Sequence, residues 1–187
     1  MSRRTFRRCT SLSSLDLNQL KQIGIRGIIL DLDNTIVSED DRYLSPNSES
    51  WIERAQEEGF SLFILSNGKR EYRVNYWSER LGIDAIGRAK KPFPKSFKIA
   101  LYSMRLLPIQ VVVIGDGFHT DAIGALWNGC HCVQVASLPH KARWWEKIIG
   151  RWVQIPYPKH APLWSFNPQY YSSSFTRTLP SIQKDIT

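Results

Sequence analysis

Apolar residues cluster into four short runs over the first three quarters of the chain, at 27–31, 60–65, 111–115 and 132–136. The first reads Gly27-Ile28-Ile29-Leu30-Asp31 and the third Val111-Val112-Val113-Ile114-Gly115, β-branched and nearly unbroken by polar positions. Such runs suit strands buried on both faces of a parallel sheet. Between them the rhythm changes. Residues 46–59 carry Trp51, Ile52 and Ala55 at three-and-four spacing and end at Gly59, and residues 94–107 place Phe97, Leu101, Met104 and Leu107 in similar register before Pro108. Both stretches predict helices with ordinary stop signals. Strands alternating with helices imply crossover connections and an α/β fold: a three-layer open parallel sheet with helices on both faces.

The pattern also sets boundaries. Residues 1–14 read as a basic N-terminal arm, 15–137 as the core, and 138–187 as an aromatic and basic C-terminal tail in which strand-like runs disappear. At about 50 residues this tail exceeds an ordinary loop. A length of 187 residues with 42% apolar and 22% charged composition is that of an ordinary globular chain. No stretch of about 18 uncharged apolar residues is present, so any membrane contact is expected to be peripheral.

Lys and Arg outnumber Asp and Glu by 25 to 17, giving +8, a bias toward anionic partners. Cys9, Cys130 and Cys132 are too few and too irregular for a disulfide framework, which points to a reducing, cytoplasmic setting. Cys130-His131-Cys132 lacks the second ligand pair that zinc requires. The opening Met1-Ser2-Arg3-Arg4-Thr5-Phe6-Arg7-Arg8, free of acids, has the composition of a mitochondrial or other organelle-targeting segment as well as that of a solvated arm.

Chemistry enters where the strands stop. The first is followed by Asp31-Leu32-Asp33-Asn34-Thr35, the second by Ser66-Asn67-Gly68, and the third by Asp116-Gly117-Phe118-His119-Thr120-Asp121. In open parallel sheets ligands bind beyond the carboxyl ends of the strands, so these groups are expected to converge. Asp31 and Asp33, two positions apart, divide naturally into a nucleophile that can form an aspartyl-phosphate and an acid/base that serves the leaving oxygen and then water. Four acids in one cleft require a cation, and a hard one such as Mg²⁺ suits carboxylates and phosphate. Asp31, Asp33 and Asp116 are its expected ligands, with Asp121 ligating or supporting. Ser66 and Asn67 can donate hydrogen bonds to phosphoryl oxygens, and Lys91, or alternatively Lys90, can add positive charge. Each motif alone also suits turn or helix-cap chemistry. Their order behind three separate strands carries the joint reading.

These motifs, together with Lys91-Pro92, resemble the four motifs of the haloacid dehalogenase superfamily of phosphatases over residues 15–136. The resemblance implies a Rossmann-like core, Asp31 as nucleophile, Asp33 as acid/base, and Ser66 and Lys91 around the phosphoryl group, with Asp116 completing the Mg²⁺ site; Thr35 and Asn67 are expected to join them as phosphate-binding groups. ATPase relatives carry Thr where Asp33 stands, so a true phosphatase is implied. The 35 positions from Asp31 to Ser66 and 25 from Ser66 to Lys91 leave no room for a separate cap domain. An open, capless site suits a phosphate on something bulky.

The phrases 17–20, 24–31 and 89–92 resemble the phosphatidylglycerophosphate phosphatase branch, which works in phosphatidylglycerol and cardiolipin synthesis, although Gly117 and Leu126 stand where that branch more often has Gln and Asn. Residues 140–159 mix Trp144, Trp145, Trp152 and Tyr157 with five cations and one acid, a composition for an anionic membrane surface. It equally suits single-stranded nucleic acid or packing onto the sheet. The competing expectations are a phosphoprotein or nucleic-acid terminal phosphate as substrate, and a non-catalytic binding protein on the same scaffold.

Overall fold

The computed structural model describes residues 5–141 and 146–167. In chain order its elements are β1 (Phe6–Cys9), α1 (Leu17–Gln22), β2 (Gly27–Leu30), β3 (Tyr43–Leu44), α2 (Ser48–Glu57), β4 (Ser61–Leu65), α3 (Glu71–Leu81), β5 (Ala85–Ile86), α4 (Pro94–Met104), β6 (Val111–Gly115), α5 (Ile123–Asn128), β7 (His131–Ser137), α6 (Glu146–Val153), β8 (Ile155–Pro156) and β9 (Trp164–Ser165).

All four expected strands are present, and they sit in one parallel sheet ordered β1-β7-β6-β2-β4-β5, with β8 added beside β7. Period-two alternation sorts their side chains into two cores. Ile28, Leu30, Ile64, Val112, Ile114, Val133 and Val135 face one cluster, which α2 and α3 close with Trp51, Ile52, Val74 and Trp77. Ile29, Phe63, Leu65, Val111, Val113 and Cys132 face the other, closed by Phe97 and Leu101 of α4 and Ala125 of α5. The result is the expected three layers. Gly124 lets α5 lie against α4, because a Cβ there would overlap the Phe97 ring.

Strand order reverses at β2: the chain moves outward through β4 and β5, then returns to place β6 on the other side. Crevices form at such reversals. Register then fixes the level of the site. Leu30 pairs with both Ile64 and Ile114, so the segments following β2, β4 and β6 leave the sheet at one edge.

Two segments depart from the expected boundaries. Phe6–Cys9, inside the stretch read as a basic arm, is the edge strand of the sheet and pairs with residues 132–135 of β7. Its side chains are largely exposed, so it carries no hydrophobic pattern. The segment expected as a separate tail returns to the core as far as residue 167. The β8 strand pairs with the end of β7, β9 pairs with β3, and the Phe166 ring lies 5.3 Å from that of Trp77. Trp144, Trp145 and residues 168–187 lie outside the described residues. No described helix is long and apolar enough to cross a membrane.

Candidate active site

Asp31 is the first residue beyond β2 and is almost wholly buried. Its backbone N–H still bonds to the Ile114 carbonyl at 2.8 Å, which holds the side chain at the sheet edge. Asp116 follows β6, and Asp121 lies one helical turn further along. Gly115 makes this turn possible, because a Cβ there would strike the Asp121 carboxylate. Asp31, Asp116 and Asp121 each offer an oxygen within 4.8 Å of the other two.

Lys91 enters this group from the loop before α4. Its Nζ lies 2.6 Å from Asp31 Oδ1 and 2.7 Å from Asp121 Oδ1. Lys90, the alternative at the sequence level, is exposed and lines a neighbouring cleft.

The electrostatics are unbalanced. Burial, with repulsion from Asp121, Asp116 and Asp33, holds the Asp31 carboxyl well above the usual range, against the pull of Lys91. Burial and Asp121 push Asp116 up to about 7. Burial opposes the charge on Lys91, but Asp121 and Asp31 overcome it and its pKa is raised. Three carboxylates against one ammonium leave two negative charges in a desolvated pocket when all are ionised. A divalent, oxygen-seeking cation matches that deficit, so the donor set fits Mg²⁺.

Asp33 stands apart from the three. Its carboxylate accepts from Ser66 Oγ at 2.7 Å and pairs with Arg73 Nη1, and its side chain keeps 19% exposure at the cleft. The other expected phosphate-binding groups occupy supporting positions. The Asn67 amide clamps the Lys91 backbone, accepting from its N–H at 2.7 Å and donating to its carbonyl at 3.1 Å. Thr35 is buried, and its hydroxyl accepts from the Asp116 N–H at 3.1 Å, tying the loop after β2 to the loop after β6.

Several residues here escaped the sequence reading. Arg73 of α3 is only 2% exposed and forks between Asp33 and Asp41, with further bonds to the Val37 and Ser38 carbonyls. Arg70 grips Asp41 from beside it at 2.7 Å. The signal was faint but present: Arg73, Trp77 and Leu81 repeat every four positions, which puts the guanidinium on the apolar face of α3. Gln154, just past α6, donates to Asp116 Oδ2 at 3.0 Å. Gln134 donates to the carbonyls of both Asp116 and Val153. His131, once a conceivable zinc ligand, bonds to Thr5 through Nδ1.

Asp31, Asp33, Asn67, Arg73, Lys91 and Asp116 are among the residues that line a cleft of about 550 Å³ open to solvent. A buried carboxylate faces into it beside a buried lysine, with a second, partly accessible carboxylate nearby. Such an arrangement can bind a phosphoryl group and attack it.

Comparison with known proteins places this geometry in context. Residues 18–129 match the model of the haloacid dehalogenase-like hydrolases. The chain is 42% identical over 117 residues to the "Probable phosphatase YqeG" of Bacillus subtilis, covering 63% of this chain and 67% of that protein. It is 26% identical over 88 residues to the glyceraldehyde 3-phosphate phosphatase of Pyrococcus furiosus, covering 43% of this chain and 37% of that one. The crystal structure of an uncharacterized protein from Listeria monocytogenes serotype 4b superimposes with a TM-score of 0.51 at 19% identity, covering 64% of this chain and 84% of that chain, a likeness of fold.

Proposed function

We infer that this chain, which belongs to the haloacid dehalogenase-like hydrolase family, is a phosphatase that hydrolyses a phosphate monoester through an aspartyl-phosphate. The observation that carries the reading is the buried Asp31 carboxylate 2.6 Å from Lys91 Nζ and grouped with Asp116 and Asp121. An Asp31 oxygen bonds to phosphorus as the bond from phosphorus to the ester oxygen breaks, and Asp33 gives that oxygen its proton. Asp33 then takes a proton from water, which attacks the phosphorus and frees Asp31 and inorganic phosphate. Ser66 and Arg73 hold the Asp33 carboxylate at the cleft during both proton transfers. Lys91, kept charged, offsets the negative charge on the phosphoryl oxygens. Asp31, Asp116 and Asp121 are the side chains that would hold Mg²⁺, which when bound supplies charge neutralisation at the phosphoryl oxygens.

For substrate we propose a phosphorylated lipid headgroup, with phosphatidylglycerophosphate as the best match, taken from the cytoplasmic face of a membrane. Support comes from α6. Ile148, Ile149 and Trp152 are exposed along one side of it, Lys147 is exposed beside them, and its single acid, Glu146, is turned inward to His140. Apolar and aromatic groups flanked by cations suit an anionic interface. The α6 helix ends one residue before Gln154, which touches Asp116, so such a surface would bring the cleft to a lipid phosphate.

The test is phosphate release by the full chain with Mg²⁺ from phosphatidylglycerophosphate micelles, phosphopeptides and 3′-phosphorylated oligonucleotides. Lipid preference is expected, and preference for either alternative overturns the substrate assignment. Asp31→Asn should abolish release from all three, and an Asp31→Asn protein that retains full activity ends the mechanism.

A further inference from the structure

Beside the catalytic cleft lies a second one whose lining is Asn67, Lys69, Arg88 and Lys90. Asn67 and Lys69 line both clefts, so the two adjoin. Three of the four lining residues are cations, all exposed, and no carboxylate lines the space. The mechanism uses none of these three charges.

The backbone holds them in place. The Ala89 N–H bonds to the Ser66 carbonyl at 2.9 Å and the Arg88 N–H to the Gly68 carbonyl at 3.2 Å, so this loop is laced to the turn that carries Ser66 and Asn67. Arg88 and Lys90 have φ of +49° and +56°, left-handed conformations that side-chain-bearing residues seldom adopt. Unusual backbone of this kind collects at ligand-binding positions. Its effect here is to alternate direction: Ala89 and Lys91 are buried, whereas Arg88 and Lys90 point outward into the second cleft. Arg88 has a partner in Glu71 at 3.3 Å, but both side chains are more than 60% exposed, and so open a pair yields readily to a stronger anion.

We propose that Lys69, Arg88 and Lys90 form a subsite for a second phosphate group of the substrate, carried close to the monoester that is hydrolysed. This rests on the phosphatase reading above and narrows its substrate class. Two features choose the ligand chemistry. Three cations around a space that no carboxylate lines call for a multiply charged anion rather than a hydroxyl or amide. Position sets where that anion lies: Lys69 and Asn67 line both clefts, and Asn67 clamps the backbone of Lys91, whose Nζ touches Asp31. The second phosphate is therefore carried on the same small group as the first, as the diester of a phosphorylated glycerol headgroup is, or the backbone phosphate next to a nucleic-acid end.

The test uses the full chain with Mg²⁺ and compares kcat/KM for p-nitrophenyl phosphate, which has one phosphate, with that for dihexanoyl phosphatidylglycerophosphate and a 3′-phosphorylated dinucleotide, which have two. In the combined Lys69→Ala, Arg88→Ala, Lys90→Ala protein the two-phosphate to one-phosphate ratio is expected to fall by about tenfold or more. Arg88→Lys with Lys90→Arg should keep most of it, and raising the salt should erode the wild-type ratio in the same direction. A ratio within about twofold of wild type, in a variant with an unaltered melting profile, overturns the subsite. Whichever two-phosphate compound loses more identifies the source of the anion. Should wild-type protein hydrolyse none of the three, the phosphatase reading fails separately. The subsite is then read by calorimetric binding of the dihexanoyl lipid, where about tenfold weakening in the triple variant supports it and equal affinity overturns it.

Discussion

Lys91 Nζ bridges Asp31 and Asp121, 2.6 Å from one and 2.7 Å from the other, with all three side chains at least nine-tenths buried. One cation thus ties the residue behind β2 to the turn behind β6. Removing one member of a buried ion cluster leaves the rest uncompensated, typically at a cost of about 3–5 kcal/mol. Lys91→Met is expected to lower the unfolding free energy of the metal-free protein by that order and to remove phosphatase activity. Equilibrium unfolding followed by tryptophan fluorescence measures the first effect and phosphate release the second.

The unbalanced charge around Asp31, Asp116 and Asp121 predicts that stability responds to a divalent cation. A ligand that binds only the folded chain stabilises it by about 2.7 kcal/mol at a hundred times its Kd. Mg²⁺ is expected to raise the melting temperature, and EDTA to reverse the rise. In Asp116→Asn, which removes one charge from the trio, the Mg²⁺-dependent rise should shrink strongly. Differential scanning calorimetry with and without Mg²⁺ provides the comparison.

Arg73 is the strongest candidate for a positioning role. Its Nε is 2.6 Å from Asp41, and it also engages Asp33 and two backbone carbonyls, a set only a planar fork can satisfy at once. Arg73→Lys is expected to fold but to reduce kcat with little change in KM, because the lysine point charge cannot orient Asp33 while holding Asp41. Arg73→Ala should lose a further few kcal/mol of stability by leaving buried Asp41 with a diminished set of partners. A KM rise with kcat intact would instead show that Arg73 binds substrate.

The anchor of α6 should respond to pH. His140 bonds to the Leu138 carbonyl at 2.9 Å and lies 3.1 Å from Glu146. Burial disfavours its charged form, but the Leu138 carbonyl and the Glu146 carboxylate outweigh that and raise its pKa above the usual value. A histidine whose folded pKa is raised binds more protons folded than unfolded. Its contribution is therefore complete below the ordinary value of about 6.5 and is lost as pH climbs through the folded value. The melting temperature of wild type should decline over that range more steeply than that of His140→Gln. Parallel profiles would show that the pair does not steady the fold.

Some of this was readable residue by residue. The core strands declared themselves because Ile28 to Leu30 and Val111 to Ile114 are β-branched or leucine without a polar break, and Asp31 and Asp116 were found because they directly follow those strands. The sequence leaves Lys90 as an alternative to Lys91, and the burial of Lys91 beside the exposure of Lys90 separates the two physically. The edge strand Phe6–Cys9 escaped notice because an exposed edge needs no apolar alternation, only backbone partners on β7. The aromatic segment after residue 137 read as separate because β8 and β9, at two residues each, are too short to leave a pattern.

What the sequence alone determined is the order of the elements and the acids that terminate them, since strand periodicity and strand-end chemistry are local properties encoded within a few residues. Only the tertiary structure decided that Asn67 clamps the Lys91 backbone, that Thr35 holds the Asp116 loop, and that Arg73 joins Asp33 to Asp41. These contacts join residues 24 to 81 positions apart. A hydrogen bond across that distance depends on strand order and register, quantities that arise when the sheet assembles and that no window of neighbouring residues contains.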